Sequence, residues 1–308
     1  MEPKRLPHIS HPGSILVATD LTDLSFLLPI AKQQAKETGK MLWFLHVVTP
    51  DTHLSTELNT HLALQQKTFR DAEAVLARVC FELKTEDFAC AYEVARWYPV
   101  ERILGFIREH EIERLIIGTS SKGKLKKLLV GSVAEQLIRN LDLPVCTVGP
   151  HFTAAPPATT KRVLFASCLR HGVVNSFEFA SDLVAMLPAE LTLLHVLEQD
   201  RFDNGVDLSV MSKIDEFVGI AKQRGFAPNV HFRYGDPAEE IIAECQILKP
   251  DFLVLGAEPG SIVSANFRTG VVYKVIAQAP CPTFTVRNGA KAKPRPGRPV
   301  ISEAQRVL

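Results

Sequence analysis

The chain repeats one supersecondary plan at a fixed offset, which confines it to folds that can be built twice and joined. Leu115-Ile116-Ile117-Gly118 runs into a basic loop and then Gly131-Ser132, followed by the amphipathic stretch Val133 to Ile138. In the second half Leu253-Val254-Leu255-Gly256 leads through a loop to Thr269-Gly270 and the stretch Val271 to Ile276. Gly118 and Gly256, Pro144 and Pro282, and Val148 and Val286 each stand 138 residues apart. A period this long repeats a whole domain, and 308 residues suffice for two of ordinary size.

Within each copy, short apolar runs alternate with helical patterns. The first copy reads as strands at Ile15 to Thr19, Met41 to Val48, Phe88 to Ala95, Arg114 to Gly118 and Val145 to Gly149. Helices are expected from Ser25 to a stop at Gly39, with Pro29 in the first turn, then from Ser55 to Leu83, Pro99 to Glu111 and onward from Ser132. The second copy reads as strands at Val163 to Ser167, Leu191 to Leu197, Asn229 to Tyr234, Phe252 to Gly256 and Thr283 to Val286. Its helices start near Asn175, Leu208, Asp236-Pro237 and Gly270, and Gly225 stops the second of them.

The alternation predicts an α/β fold, with two tandem Rossmann-like domains. Each is a five-stranded parallel sheet with helices on both faces. The boundaries are set at 1–150, 151–290 and a Pro- and Lys-rich tail at 291–308 that cannot bury a core. The last strand of each copy would leave an open sheet edge if its domain stood alone, so the two halves are expected to pair through these strands as an internal pseudo-dimer. A further homodimer would use other surfaces.

Net charge of +1 gives no electrostatic case for nucleic acid or an anionic membrane, and no apolar run is long enough to cross a bilayer. The first residues lack a signal-peptide core, which points to a cytoplasmic protein. The six cysteines, at 80, 90, 146, 168, 245 and 281, form no CxxC pair and read as small buried hydrophobes in a reducing compartment.

Ligands of open parallel sheets bind beyond the carboxyl ends of the strands, where strand order reverses. There the first copy places Asp20, His46-Val47 and Gly118, while Gly131 and Ser132 open a helix whose free N–H groups suit an anion. A bland reading competes: turn glycines, an N-cap serine, and Asp20 capping the first helix. No GxxxxGK[ST] loop and no GxGxxG after the first strand is present, which removes P-loop and dinucleotide-binding readings. His46 and His195 are equivalent, which favours hydrogen bonding over catalysis.

From Ser14 to Val286 the chain resembles the universal stress protein family. The resemblance is carried by Ile15 to Ser25, by Leu45-His46-Val47-Val48, by Leu143-Pro144-Val145, and by Gly118 to Ser132, which is similar to G-x2-G-x9-G-[ST]. It implies an adenine nucleotide, ATP or AMP with or without Mg2+, bound as a stress signal with at most slow hydrolysis. By that likeness Asp20 and the Val47 backbone face base and ribose, and Gly118, Gly131 and Ser132 face phosphates. Ser121 stands where the motif has its second glycine, and Gly123 is displaced by two residues. Lys122, Lys124, Lys126 and Lys127 crowd the same loop, either offsetting phosphate charge or simply solvated.

The second copy has Cys168 in place of Asp20, Pro259 in place of the motif's second glycine, and Thr269-Gly270 in place of Gly131-Ser132. It reads as structural, with Cys168 a buried inert thiol. The alternatives are a scaffold with both sites vestigial, or an enzyme of a related α/β family. A pyrophosphatase-type ligase would need an SGGxDS-like loop, which Asp20-Leu21-Thr22-Asp23 does not supply.

Overall fold

A computed structural model describes residues 13–49, 58–119, 130–149, 151–152, 157, 159–169, 173–185, 187–197, 208–257 and 270–287. The first half contains β1 (Ser14–Ala18), α1 (Leu24–Thr38), β2 (Met41–Val48), α2 (Leu58–Thr85), β3 (Cys90–Arg96), α3 (Pro99–Glu109), β4 (Ile112–Gly118), α4 (Ser132–Asn140) and β5 (Val145–Val148). The second contains β6 (Arg162–Ser167), α5 (Val174–Val184), β7 (Glu190–Leu197), α6 (Leu208–Gln223), β8 (Asn229–Tyr234), α7 (Pro237–Leu248), β9 (Phe252–Ala257), α8 (Val271–Gln278) and β10 (Thr283–Arg287). None of the described helices is long and apolar enough to cross a membrane.

The strands form one continuous sheet in the order β3-β2-β1-β4-β5-β10-β9-β6-β7-β8. Among the described residues each half is parallel throughout, and the single antiparallel pairing is the seam, where Phe284 of β10 lies opposite Cys146 of β5. Strand order reverses between β1 and β4 in the first half and between β6 and β9 in the second. Each reversal leaves a crevice at the carboxyl ends of its strands.

Side-chain alternation along the strands builds two cores. Ile15, Val17, Phe44 and Ile116 face α1 and α2, and continue into Phe165, Val254 and Phe284 under α5 and α6. Leu16, Leu45, Leu115 and Ile117 face α3 and α4, and continue into Leu164, Leu253 and Leu255 under α7 and α8. Both layers cross the seam, so the copies share their cores. Polar groups cross it as well. Thr147 Oγ1 donates to the Thr283 carbonyl at 3.1 Å, Gln33 Nε2 donates to Thr160 Oγ1 at 3.0 Å, and the Arg114 guanidinium lies over the Phe179 ring at 5.1 Å.

Local signals act at several boundaries. Gly39 ends α1 in the left-handed region at φ 66°, with its N–H bonded to the Ala35 carbonyl. Asp236 caps α7, accepting from the Ala238 and Glu239 N–H groups. Gly225, at φ 87°, follows the end of α6. Three expectations need correction. The N-cap of α1 is Asp23 rather than Ser25, and its side chain makes no capping bond. Pro29 sits in the second turn, where the carbonyl of the exposed Ser25 loses an N–H partner. Cys80 of α2 and Cys90 of β3 are joined in a disulfide with 5.8 Å between Cα atoms, a pairing that sequence spacing did not suggest. Ser55 and the tail fall outside the described residues.

Candidate functional site

The turn after β1 is built from a hydroxyl, a histidine and a left-handed residue. The Leu21 N–H donates to Thr19 Oγ1 at 2.8 Å, and Leu21 takes φ 73°. His46, buried on β2, holds the Thr19 carbonyl through Nδ1 at 2.8 Å. The second copy repeats the construction. The Leu169 N–H donates to Ser167 Oγ at 3.1 Å, Leu169 takes φ 56°, and His195 Nδ1 meets the Ser167 carbonyl at 3.1 Å. A leucine in the left-handed region costs of order 1 kcal/mol or more, so each turn depends on its surroundings to hold it. The two histidines are thus turn-holders, and the strand-end geometry survives in both copies.

Of the expected site residues, Asp20 follows β1 but is engaged by its own turn. Its Oδ1 accepts the Thr22 N–H at 2.8 Å and the Thr22 hydroxyl at 2.6 Å. Val47 lies half-buried on β2, two residues beyond Leu45, which pairs with the last residue of β1. Gly118 ends β4. Gly131 is the N-cap of α4 in extended conformation (φ −61°, ψ 148°), no side chain among the described residues caps the helix, and Ser132 is exposed. The Gly131 N–H donates to the Thr119 carbonyl at 3.0 Å, which ties the start of α4 to the end of β4. Ser121, Gly123 and the four lysines of the intervening loop fall outside the described residues.

Gly118 has a packing reason that the sequence did not reveal. A Cβ added there would meet Asp23 Oδ2 at 2.6 Å. At Gly256 an added Cβ would meet Ser176 Oγ at 2.9 Å and Ser167 Oγ at 3.1 Å. Both glycines therefore let the first helix of their copy close onto the strand end, so Gly118 alone is not a ligand signal. The same contact brings in Asp23, which sequence reasoning passed over. Its Oδ1 accepts from Thr19 Oγ1. Burial pushes its carboxyl up from 3.8 to about 6, the Thr19 hydrogen bond opposes that shift, and the nearby Asp20 charge adds to it. A carboxyl three residues from the expected one is thus the group turned inward.

The second copy contributes directly to this region. Tyr273 of α8 accepts the Val130 N–H at 3.2 Å, one residue before Gly131. By their helix starts Gly270 and Val271, rather than the expected Thr269-Gly270, stand where Gly131 and Ser132 do, so the first residue of α8 carries no hydroxyl. Cys168 stands in the place of Asp20 and is exposed, not buried as expected, because the left-handed Leu169 turns inward instead. Among the described residues, no group of three or more His, Cys, Asp or Glu side chains is placed to hold a metal ion.

The model of the Universal stress protein family matches residues 13–149 and again 162–287. The chain belongs to the universal stress protein family. Universal stress protein MJ0531 of Methanocaldococcus jannaschii is 27% identical over 139 residues, covering 44% of this chain and 80% of that protein. Among solved structures, a universal stress protein from Archaeoglobus fulgidus superposes with a TM-score of 0.70 at 19% identity, covering 91% of this chain and 100% of the other. A putative universal stress protein from Pseudomonas aeruginosa superposes with a TM-score of 0.63 at 17% identity, covering 89% and 92%. At these identities the structural likeness speaks for the fold, and the tandem universal stress protein architecture spans nearly the whole described chain.

Proposed function

We infer that the first copy of this universal stress protein binds one adenine nucleotide, ATP or AMP, and uses it as a regulatory signal. The observation that carries this reading is the start of α4. A nine-residue helix, opened by Gly131 and the exposed Ser132 and capped by no side chain among the described residues, is tied to the end of β4 beside the reversal of strand order. Its first N–H groups have no intrahelical acceptor, and the positive end of its dipole favours a phosphate. In this reading Asp20 and the Val47 backbone, near the ends of β1 and β2, would face base and ribose, although Asp20 Oδ1 is already held by Thr22. Ser121 would lend its backbone N–H to the phosphates.

The second copy acts as support, since Cys168 and Val271 replace the polar groups of the first. One observation favours the rival reading, a scaffold without nucleotide: the Asp23 carboxyl rests against Gly118, where its charge would oppose a phosphate. Calorimetric titration with AMP and with ATP decides between them. About one site per chain is expected, and Gly131→Val, which puts a branched side chain where the backbone must approach phosphate, should abolish the heat. Two equal sites, or equal heats from wild type and variant, would overturn the reading.

A further inference from the structure

The copy with the polar crevice also carries the charge least suited to it. Asp23 Oδ2 covers the side of Gly118 that a Cβ would occupy, whereas the matching side of Gly256 is lined by the neutral hydroxyls of Ser176 and Ser167 beside the Phe165 ring. Among the described residues, those near Asp23 supply little to balance an ionised carboxyl. From the turn after β1 come the Thr19 hydroxyl and the Asp20 carboxylate. At the end of β4 come Gly118 and, just after it, the buried Thr119, whose hydroxyl donates to the Val148 carbonyl. His46 on β2 is engaged with the Thr19 carbonyl. On α4, Ser132 is neutral and Glu135 pairs with Arg139 at 3.6 Å. Among the described residues Asp23 forms no ion pair. Lys122, Lys124, Lys126 and Lys127 belong to the loop outside them.

We propose that Asp23 couples phosphate binding in the first copy to the uptake of one proton, so that this site takes its nucleotide more tightly as pH falls. The inference rests on the nucleotide reading above and adds its regulation. In the empty site at neutral pH the carboxyl is mostly ionised, consistent with a value of about 6. A phosphate arriving at the α4 N-terminus brings like charge to the same crevice, which favours the protonated acid. The proton comes from solvent and forms an O–H bond on the carboxyl. No other bond changes. The neutral acid then offers a donor where the carboxylate offered repulsion.

The test titrates the full chain with AMP by calorimetry between about pH 5.5 and 8.5, in buffers of differing ionisation enthalpy, with Asp23→Asn alongside. The phosphate of AMP titrates near pH 6 in both experiments, so the difference between the proteins isolates Asp23. At pH 7 the wild type should take up more protons than the variant, by at most about one, and above pH 6 its affinity should fall relative to the variant, by at most about tenfold per unit. At pH 8 the variant should bind more tightly than wild type. Parallel pH profiles with equal proton uptake would overturn the proposal. So would Mg2+ restoring wild-type affinity at pH 8 without proton uptake, since a divalent cation would then be neutralising Asp23. Failure of both proteins to bind AMP at every pH would instead refute the nucleotide reading, and this one with it.

Discussion

Replacing Phe284 with alanine tests whether the two copies are one cooperative body. The ring is 0% exposed on β10, directly across the seam from β5. Its centroid lies 4.9 Å from that of Phe179 on α5 and 5.4 Å from that of Phe252 on β9. Phe179 in turn supports the Arg114 guanidinium of the first copy. Burial of a phenylalanine is worth roughly 1.5–3 kcal/mol, and the cavity left in a dense sheet–helix layer raises the cost of truncation to about 3–5 kcal/mol. Two lost ring contacts of about 0.5–1.5 kcal/mol each keep Phe284→Ala from the lower end of that range, at ~4 kcal/mol. Against a net stability of about 5–15 kcal/mol this is a large fraction.

The assay uses the distribution of tryptophans. Both of them, Trp43 and Trp97, lie in the first copy, whereas Phe284 belongs to the second. Urea unfolding followed by tryptophan fluorescence therefore reports the copy that was not mutated, and circular dichroism reports both. With a slope of roughly 3 kcal/mol/M, both midpoints should fall together by about 1.3 M. Phe81→Ala, at a side chain 69% exposed on α2, should change stability by no more than about 0.5 kcal/mol. A fluorescence midpoint unmoved by Phe284→Ala would refute the shared core, and a loss below about 1 kcal/mol would refute the packing argument.

Three smaller predictions follow from named contacts. Asp236→Ala removes the acceptor for two N–H groups at the start of α7 and should cost about 1 kcal/mol, read as a lower urea midpoint; Asp236→Ser should recover most of it. Glu244, 2% exposed on α7, is held below the usual carboxylate value because hydrogen bonds and charge from His231 and Arg233 outweigh the opposing burial penalty. Its folded value is lowered, so the stability it adds is present above about 4.5 and is lost as pH falls through the folded value. Glu244→Gln should therefore cost about 1–3 kcal/mol at pH 7, with the gap to wild type closing below pH 4.5 in thermal melts; a constant gap would count against the pairing. Tyr273→Phe leaves the Val130 N–H without its acceptor, and should weaken nucleotide binding in the first copy several-fold while the one-per-chain stoichiometry holds. Unchanged affinity would show that the second copy does not brace that turn.

Much of the fold was legible along the chain because its signals are local. Met41–Val48 is apolar and bounded by turn residues, Gly39 can take the left-handed stop that α1 needs, and Asp236-Pro237 is a complete helix start within two residues. The 138-residue offset fixed the tandem plan for a similar reason, since it needs only the chain compared with itself. The pairing of β5 with β10 was within reach too, because an apolar last strand in each copy calls for a partner on its open edge. Side-chain direction was not legible in this way. Asp20 and Asp23 are both acidic, and both follow β1. Only the packing of α1 onto β4 decides that Asp20 closes its own turn while Asp23 lies against Gly118. Cys80 and Cys90 meet for a comparable reason, because α2 and β3 are laid side by side over the same core. Local periodicity sets which residues form an element and which face they share. Which polar group points into the crevice is set by contacts between residues far apart in sequence, and that only the tertiary structure decides.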